Sequence, residues 1–309
     1  MTTTADQDTE IAPTELAGQL QTPFRRFVSD FFESWVATVA FALFLVIVFG
    51  ALFAPLISPQ DPYDLAQVDV MESRLPPGSK SYQGYTFLLG TDGAGRDLFS
   101  AILYGLRISL SVGVVSGIIA MIIGSSVGLT AAYCGGRVEA LIMRIVDLQL
   151  SFPAILIALM LLAVFGKGVD KIMIALVTVQ WAYYARTVRS TAIVERQKEY
   201  VEAARCLGLS HKRVLFHHIL PNCLAPLIVV VTVQTAHAIA LEATLSFLGV
   251  GLPQTEPSLG LLISNGFEYM LSGRYWISFF PGIALLLTIV SINLVGDQLR
   301  DVLNPRLQR

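Results

Sequence analysis

The chain has 309 residues, of which 54% are apolar and only 14% charged, with a mean hydropathy of +0.64. An average soluble domain is about 25% charged, and here the apolar excess runs in long blocks. Composition therefore implies an integral membrane protein and excludes disordered, collagenous and disulfide-stapled secreted classes, while a net charge of −2 argues against a nucleic-acid partner, which needs a basic excess.

Residues 1–24 are rich in Thr, Asp and Glu and read as the disordered first part of a cytoplasmic tail, 1–34. Arg25-Arg26 lie deep in the chain, and the apolar block after them, Trp35–Ile57, is too long for a signal-peptide core, so this first helix is expected to stay. Charge-free stretches then follow at Ile108–Gly136, Leu148–Gly166, Ile172–Ala185 and Tyr275–Gly296, and Ile219–Thr255 contains only Glu242. A helix rises ~1.5 Å per residue, so about 20 residues cross the ~30 Å hydrocarbon layer. The shortest stretch, Ile172–Ala185, spans only if Lys171 and Arg186 snorkel outward. The expectation is an all-α membrane protein with six transmembrane helices, near 35–57, 108–133, 143–166, 169–188, 223–249 and 275–296. An external loop covers 58–105, and 299–309 is a cytoplasmic end. With the N-terminus inside, 14 of the 21 Lys and Arg fall inside and 7 outside, so the positive-inside rule places both termini in the cytoplasm. Cys134, Cys206 and Cys223 all fall on the reducing side, and no disulfide is expected.

Gly90–Asp97 packs three glycines and three charges into a compact turn, with Asp97 placed to cap the helix that begins at Leu98 and Asp92 placed to pair with Arg96. Arg144 and Asp147 are three apart on the third span and are expected to form a structural ion pair, with a kink at Pro153. The longest inside loop, Arg186–His218, carries seven Lys or Arg, three Glu and three of the four histidines. Glu199–Leu207 has helical composition, Gly208 is the expected left-handed stop, Ser210 can cap a second helix, and Pro221 is expected to break the chain before the fifth span. Two short helices at a glycine elbow can grip a groove on a partner protein or lie on anionic lipid, and the residues alone support both.

Glu202-Ala203-Ala204, Gly208 and Leu220-Pro221 have the spacing of the EAA loop of bacterial ABC importer permeases. His218 stands where that pattern prefers Ile, although His-Ile-Leu-Pro-Asn is typical of the peptide-permease branch. The same branch is similar at Gly90-Thr91-Asp92 with Gly95-Arg96-Asp97, and at Met143-Arg144, Asp147 and Leu150-Ser151-Phe152-Pro153. It is similar again at Glu242-Ala243 with Leu245–Gly249, and at Gly296-Asp297, Leu299-Arg300-Asp301 and Pro305-Arg306. The chain thus resembles, over about 35–306, the C-type membrane subunit of the dipeptide/oligopeptide/nickel permease family. The resemblance implies a type I ABC importer permease core over 106–298, an extra N-terminal helix, a coupling loop at 195–222, and residence in the bacterial cytoplasmic membrane. It also implies a homologous second permease subunit, two ATPase subunits docked on the loop, an external solute-binding protein, and membrane lipid around the spans.

No Gly-x4-Gly-Lys-Ser/Thr loop occurs, and Gly166-Lys167-Gly168 has the wrong spacing, so ATP is expected to be used by partner chains and this chain to need no cofactor. No catalytic constellation and no metal site are expected, since His211, His217 and His218 lack acids or cysteines in ligand spacing. Glu242 is the one acid deep in an apolar run and is expected to face a second subunit or a pore as a gating group. The competing class is an ion-gradient-driven secondary transporter, which would need paired intramembrane acids or related halves.

Overall fold

The computed structural model describes residues 22–64 and 66–303, so the Pro305-Arg306 pair and all but the end of the tail expected to be disordered lie outside the described residues. Helix α1 (Pro23–Glu33) turns at Ser34 into α2 (Trp35–Leu52), so the segment assigned to a tail ends in a helix. Gln298 Nε2 donates to the Asp30 carbonyl at 3.1 Å and ties α1 to the end of the last helix. Beyond α2 come α3 (Leu98–Cys134), α4 (Gly136–Ser151), α5 (Ala154–Phe165), α6 (Val169–Arg196) and α7 (Glu199–Cys206). They are followed by α8 (His211–Phe247), α9 (Leu259–Phe267) and α10 (Trp276–Leu303).

Four of these, α2, α3, α8 and α10, are long and apolar enough to cross a membrane. The pair α4–α5 adds a fifth candidate but is bent by 89°. A single kinked span over 143–166 was expected, and the break is sharper than a kink. Pro153 has no N–H to continue a helix and pushes Phe152 into an extended conformation (φ −88°, ψ 139°). Helix α6 corresponds to the short fourth stretch but is one helix of 28 residues. Gln180, Arg186 and Arg189 make it too polar for the apolar class, and it survives in the bundle because protein surrounds much of it. Ile172, Leu176, Tyr184, Ala185 and Val188 on it are fully buried.

The close seat of α6 against α3 has a local cause. A Cβ on Gly124 would lie 2.3 Å from the Trp181 carbonyl oxygen, and one on Gly128 would lie 2.4 Å from that of Ala185. Farther along α3, a Cβ on Gly113 would meet Ile239 Cγ1 of α8 at 2.7 Å. Small residues four apart let two helix backbones touch, which is how membrane helices gain packing energy where lipid is as apolar as their side chains.

The 58–97 segment sits at the other end of α3. Its hairpin pairs β1 (Ser79–Lys80) with β2 (Thr86–Phe87), and Glu72, fully buried, accepts from the Ser81 hydroxyl at 3.1 Å and the Tyr82 N–H at 2.5 Å. Asp97 caps α3, its carboxylate accepting the Ser100 N–H at 2.8 Å. Asp92 does not pair with the Arg96 guanidinium. Its carboxylate accepts the Ala94 and Arg96 backbone N–H groups at 2.8 and 2.9 Å, while Arg96 Nη2 donates to the Gln254 carbonyl. The tight turn points the Ala94 and Arg96 backbone N–H groups at Asp92, and the Arg96 side chain reaches the Gln254 carbonyl instead.

Gly128→Val forces α3 and α6 apart, and overpacking of this kind costs about 1–3 kcal/mol or more. We expect it to abolish the folded protein in the membrane fraction, whereas Gly282→Ala, with nothing within 4 Å of the new Cβ, leaves yield and thermal stability unchanged. Equal yields for the two variants would contradict the backbone contact.

Candidate functional site

Between α6 and α8 the chain makes its elbow. Helix α7 ends at Cys206 with Leu207 as its C-cap, and Gly208 takes φ +73°. The Gly208 N–H donates to the Arg205 carbonyl at 2.9 Å and the Leu209 N–H to the Ala204 carbonyl at 3.2 Å, the two-bond termination that needs a left-handed residue. A Cβ at Gly208 would meet nothing within 4 Å, so the need for glycine there is conformational rather than steric.

The second arm differs from the expectation. Ser210 precedes it in extended backbone but makes no side-chain cap. Pro221 does not separate the arm from the next span. One helical turn at His211–Arg213 widens to a π-helical stretch over Val214–Ile219, tightens to a 3₁₀ turn over Leu220–Cys223, and continues to Phe247. The widened turn lets the Leu220 N–H reach the Leu215 carbonyl, and Pro221 then falls in the first turn of the 3₁₀ stretch, where its missing N–H costs little. The arm and α8 are therefore one continuous helical element.

One face of the elbow is fastened to the bundle. Val201, Ala204, Val214, Ile219 and Cys223 are buried in a cluster with Ala132 of α3 and Ala192 of α6. The other face is open. Glu202, Ala203, Gly208, Lys212 and Arg213 are exposed, and so are Leu207 (79%) and Phe216 (53%). Of the Glu-Ala-Ala triplet, Ala204 thus seats the helix while Glu202 and Ala203 look outward. Leu220 is half-buried against the Tyr184 and Val188 cluster, and Pro221 is exposed.

Polar bonds hold the fastened side. Tyr200 hydroxyl donates to Glu195 Oε2 at 2.7 Å and lies 3.3 Å from the His218 carbonyl. Asn222 Nδ2 donates to that hydroxyl at 3.1 Å and to the His218 carbonyl at 2.8 Å, and Lys198 Nζ meets Glu195 Oε1 at 2.6 Å. Arg196 Nη1 donates to the Ala132 and Tyr133 carbonyls at 2.7 and 3.1 Å and so closes the C-terminus of α3. Arg205 lies over the Tyr133 ring at 5.4 Å, and the Tyr133 hydroxyl bonds His211 Nδ1. Burial, reinforced by the Glu195 carboxylate, pushes the Tyr200 hydroxyl up to about 12. Burial of Glu195 opposes its ionisation, but the Lys198 ammonium and the Tyr200 hydroxyl outweigh it and hold the carboxyl below its usual range.

Two further expectations are corrected. Asp147 pairs with Arg186 of α6, not with Arg144, which makes no ion pair among the described residues. The α4 helix presents Asp147 to its neighbour, where a guanidinium on a separate rigid helix needs no intrahelical bend. Arg189 likewise pairs with Glu139, through Nε at 2.8 Å. Glu242 faces neither an open surface nor a groove. It is fully buried inside this chain, accepting from Ser109 and Ser246 hydroxyls at 2.8 Å each, because three serine donors (Ser258 is the third) satisfy its carboxyl where lipid cannot. The Tyr200–Glu195–Asn222 bonds escaped the sequence reading. Their only signal is the polar spacing of Glu195 and Tyr200 around a helix break.

Comparison with known proteins agrees with this architecture. Residues 120–309 match the family described as "binding-protein-dependent transport system inner membrane component", and residues 22–77 match the N-terminal transmembrane domain of oligopeptide transport permease C. A di/tripeptide transport system permease protein DppC of Pseudomonas aeruginosa is 37% identical over 93% of both chains. A dipeptide transport system permease protein DppC of Haemophilus influenzae is 32% identical over 97% of this chain and 100% of its own. Among solved structures, an inward-facing MetNI methionine ABC transporter shares the fold at TM-score 0.55 and 20% identity, over 66% of this chain and 96% of that one. The chain belongs to the binding-protein-dependent transport system inner membrane component family. It is a multi-pass inner-membrane permease subunit, and its role is transport.

The acid–base groups of the elbow set its pH window. The Glu195 contribution is full above the usual carboxylate pKa of about 4.3 and is lost as pH falls through its lower folded value. The Tyr200 contribution is full below about 10 and is lost as pH rises to about 12. We expect Tyr200→Phe to speed hydrogen exchange over 214–223 by roughly 5- to 10-fold, the worth of about 1 kcal/mol of net hydrogen bonding, and Glu195→Gln to flatten the acid limb of thermal stability. Unchanged exchange in Tyr200→Phe would show the hydroxyl bonds to be incidental.

Proposed function

We propose that this chain is one of two homologous permease subunits of an ATP-driven importer that carries peptides or peptide-like solutes inward across the cytoplasmic membrane. The elbow is its coupling element. ATPase subunits grip the outward face formed by Glu202 and Ala203, with Leu207 and Phe216 as the apolar contact. An external binding protein delivers the solute at the 58–97 end. The observation that carries this reading is the unbroken helix from His211 through the π and 3₁₀ turns into α8. A force applied to the elbow passes into a membrane helix without a joint, so a partner that favours one elbow position favours one tilt of the bundle.

Three facts support the remaining parts. The chain has no phosphate-binding loop of its own, which leaves ATP hydrolysis to partner chains. The 14-to-7 bias of basic residues supports cytoplasmic termini and elbow. The relatives named above carry dipeptide and di/tripeptide transport in their names, which supports a peptide as the solute.

Cysteine at Ala203, cross-linked in native membranes of the complete system, is expected to capture an ATPase subunit. Gly208→Val is expected to leave membrane insertion intact while removing that cross-link, and Glu202→Lys to weaken docking by about 1–3 kcal/mol where the contact is desolvated. Uptake is expected to stop when the partner ATPases are inactivated. Uptake that persists on a proton gradient alone would replace this reading with a secondary transporter.

A further inference from the structure

The apolar surface of the bundle does not stop where α2 begins. On α2 the side chains of Trp35 (74%), Val39 and Val46 are strongly exposed, as befits the outside of a span. Phe32 of α1, 48% exposed, stands three residues before Trp35 and carries that surface past the Ser34 turn. Helix α1 itself is two-sided. At about 100° per residue, Phe27, Val28, Phe31 and Phe32 fall on one half of it and Arg25, Arg26, Ser29 and Glu33 on the other. Those four polar residues are all exposed, whereas Phe27 and Val28 are half-buried and Phe31 is buried.

The helix is laid against the bundle and not stacked on the end of α2. The Phe31 and Phe32 rings lie 5.7 and 6.2 Å from the Phe41 ring. One straight helix would set residues 31 and 41 about 15 Å apart along its axis, so the chain folds back at Ser34. The bond from Gln298 Nε2 to the Asp30 carbonyl holds α1 in that place. Helices α2 and α3 each cross once, so α1 stands at the elbow end, opposite the 58–97 segment. An 11-residue helix bent off the end of a span, apolar on one half and polar on the other, fits the plane of a membrane surface.

Its charges are open at one end. Arg25 makes no ion pair among the described residues, and Arg26 has only a 3.8 Å contact from Nε to Asp30 Oδ2 with 60% of its side chain exposed. An exposed pair of this kind is weak and leaves the guanidinium free to meet another anion. Glu33 is two turns from Arg25, about 12 Å along the axis.

We propose that α1 is an interfacial anchor lying in the headgroup layer of the leaflet on the elbow side, with Phe32 in the acyl boundary and Arg25 and Arg26 on the phosphates of acidic phospholipid. Lipid is the fitting occupant because Phe32 continues the exposed surface of a span and the basic pair complements an anionic surface. Trp35 marks the joint, where an indole suits the boundary between water and hydrocarbon. Each basic residue near an anionic surface favours binding about fivefold, so acidic lipid gathers beside Phe32.

The test uses the assembled transporter with its other cysteines replaced, in vesicles of phosphatidylcholine with a minor share of phosphatidylglycerol, and a bimane label on Phe32→Cys or Ser29→Cys. The bimane ring restores an apolar group at position 32. Acyl-brominated lipid is expected to quench the label at 32, and aqueous iodide the label at 29. Bromine carried on phosphatidylglycerol is expected to quench the label at 32 more than bromine on an equal share of phosphatidylcholine, reporting a local enrichment of about fivefold or more. Arg25→Gln with Arg26→Gln is expected to remove most of that difference, and high salt to do the same in the chain with both arginines intact. A label at 32 that iodide quenches as strongly as the label at 29 overturns the anchor, since α1 then stands in water. A label at 32 that neither quencher reaches overturns it as well, since another subunit then covers α1. Equal quenching by the two brominated lipids overturns the acidic-phospholipid assignment.

Discussion

The whole bundle depends on a backbone-to-backbone contact. At Gly124 and Gly128 the α3 helix comes so near α6 that a single methyl group would overlap the Trp181 or Ala185 carbonyl oxygen. In a membrane no hydrophobic gain draws apolar helices together, so shape and close packing must do it. The contact lets α6 carry Gln180, Arg186 and Arg189, since α3 shields its other side. It also places the C-terminal carbonyls of α3 within reach of Arg196, which fastens the start of the elbow.

From that anchor the elbow inherits its stiffness. Alanines at 132, 192 and 204 leave room for α7 to lie against two helix ends at once, and Val201, Val214 and Ile219 fill the space between. Tyr200 then joins Glu195 before α7 to the His218 carbonyl and Asn222 after it, so the entry and exit of the loop are bonded to each other. A loop closed in this way is held as one unit. The π and 3₁₀ turns carry the helix past Pro221 into α8, where a proline in ordinary helix would have made a hinge.

Glu242 and the Arg186–Asp147 pair illustrate two ways to hold charge in this bundle. Glu242 is enclosed by serine hydroxyls of its own chain and serves to tie α8 to α3. Arg186 and Asp147 compensate each other in place with more than half of each side chain exposed. Only the packing separates the enclosed acid from the paired one.

The sequence by itself determined that this chain crosses a membrane, that its longest basic loop turns on Gly208, and that Asp97 starts α3, because apolar block length, a left-handed residue and a cap act within a few residues of themselves. It also carried the short motifs by which the family is recognised. Only the tertiary structure decided that Pro153 splits a span by 89°, that Pro221 does not, that Asp147 chooses Arg186 over Arg144, and that Glu242 is closed in. The two prolines differ in whether the turn beside them can widen to absorb the missing N–H, and the two acids turn on which distant side chain arrives beside them, across 39 residues for Asp147 and Arg186 and 133 for Glu242 and Ser109, which local composition does not encode.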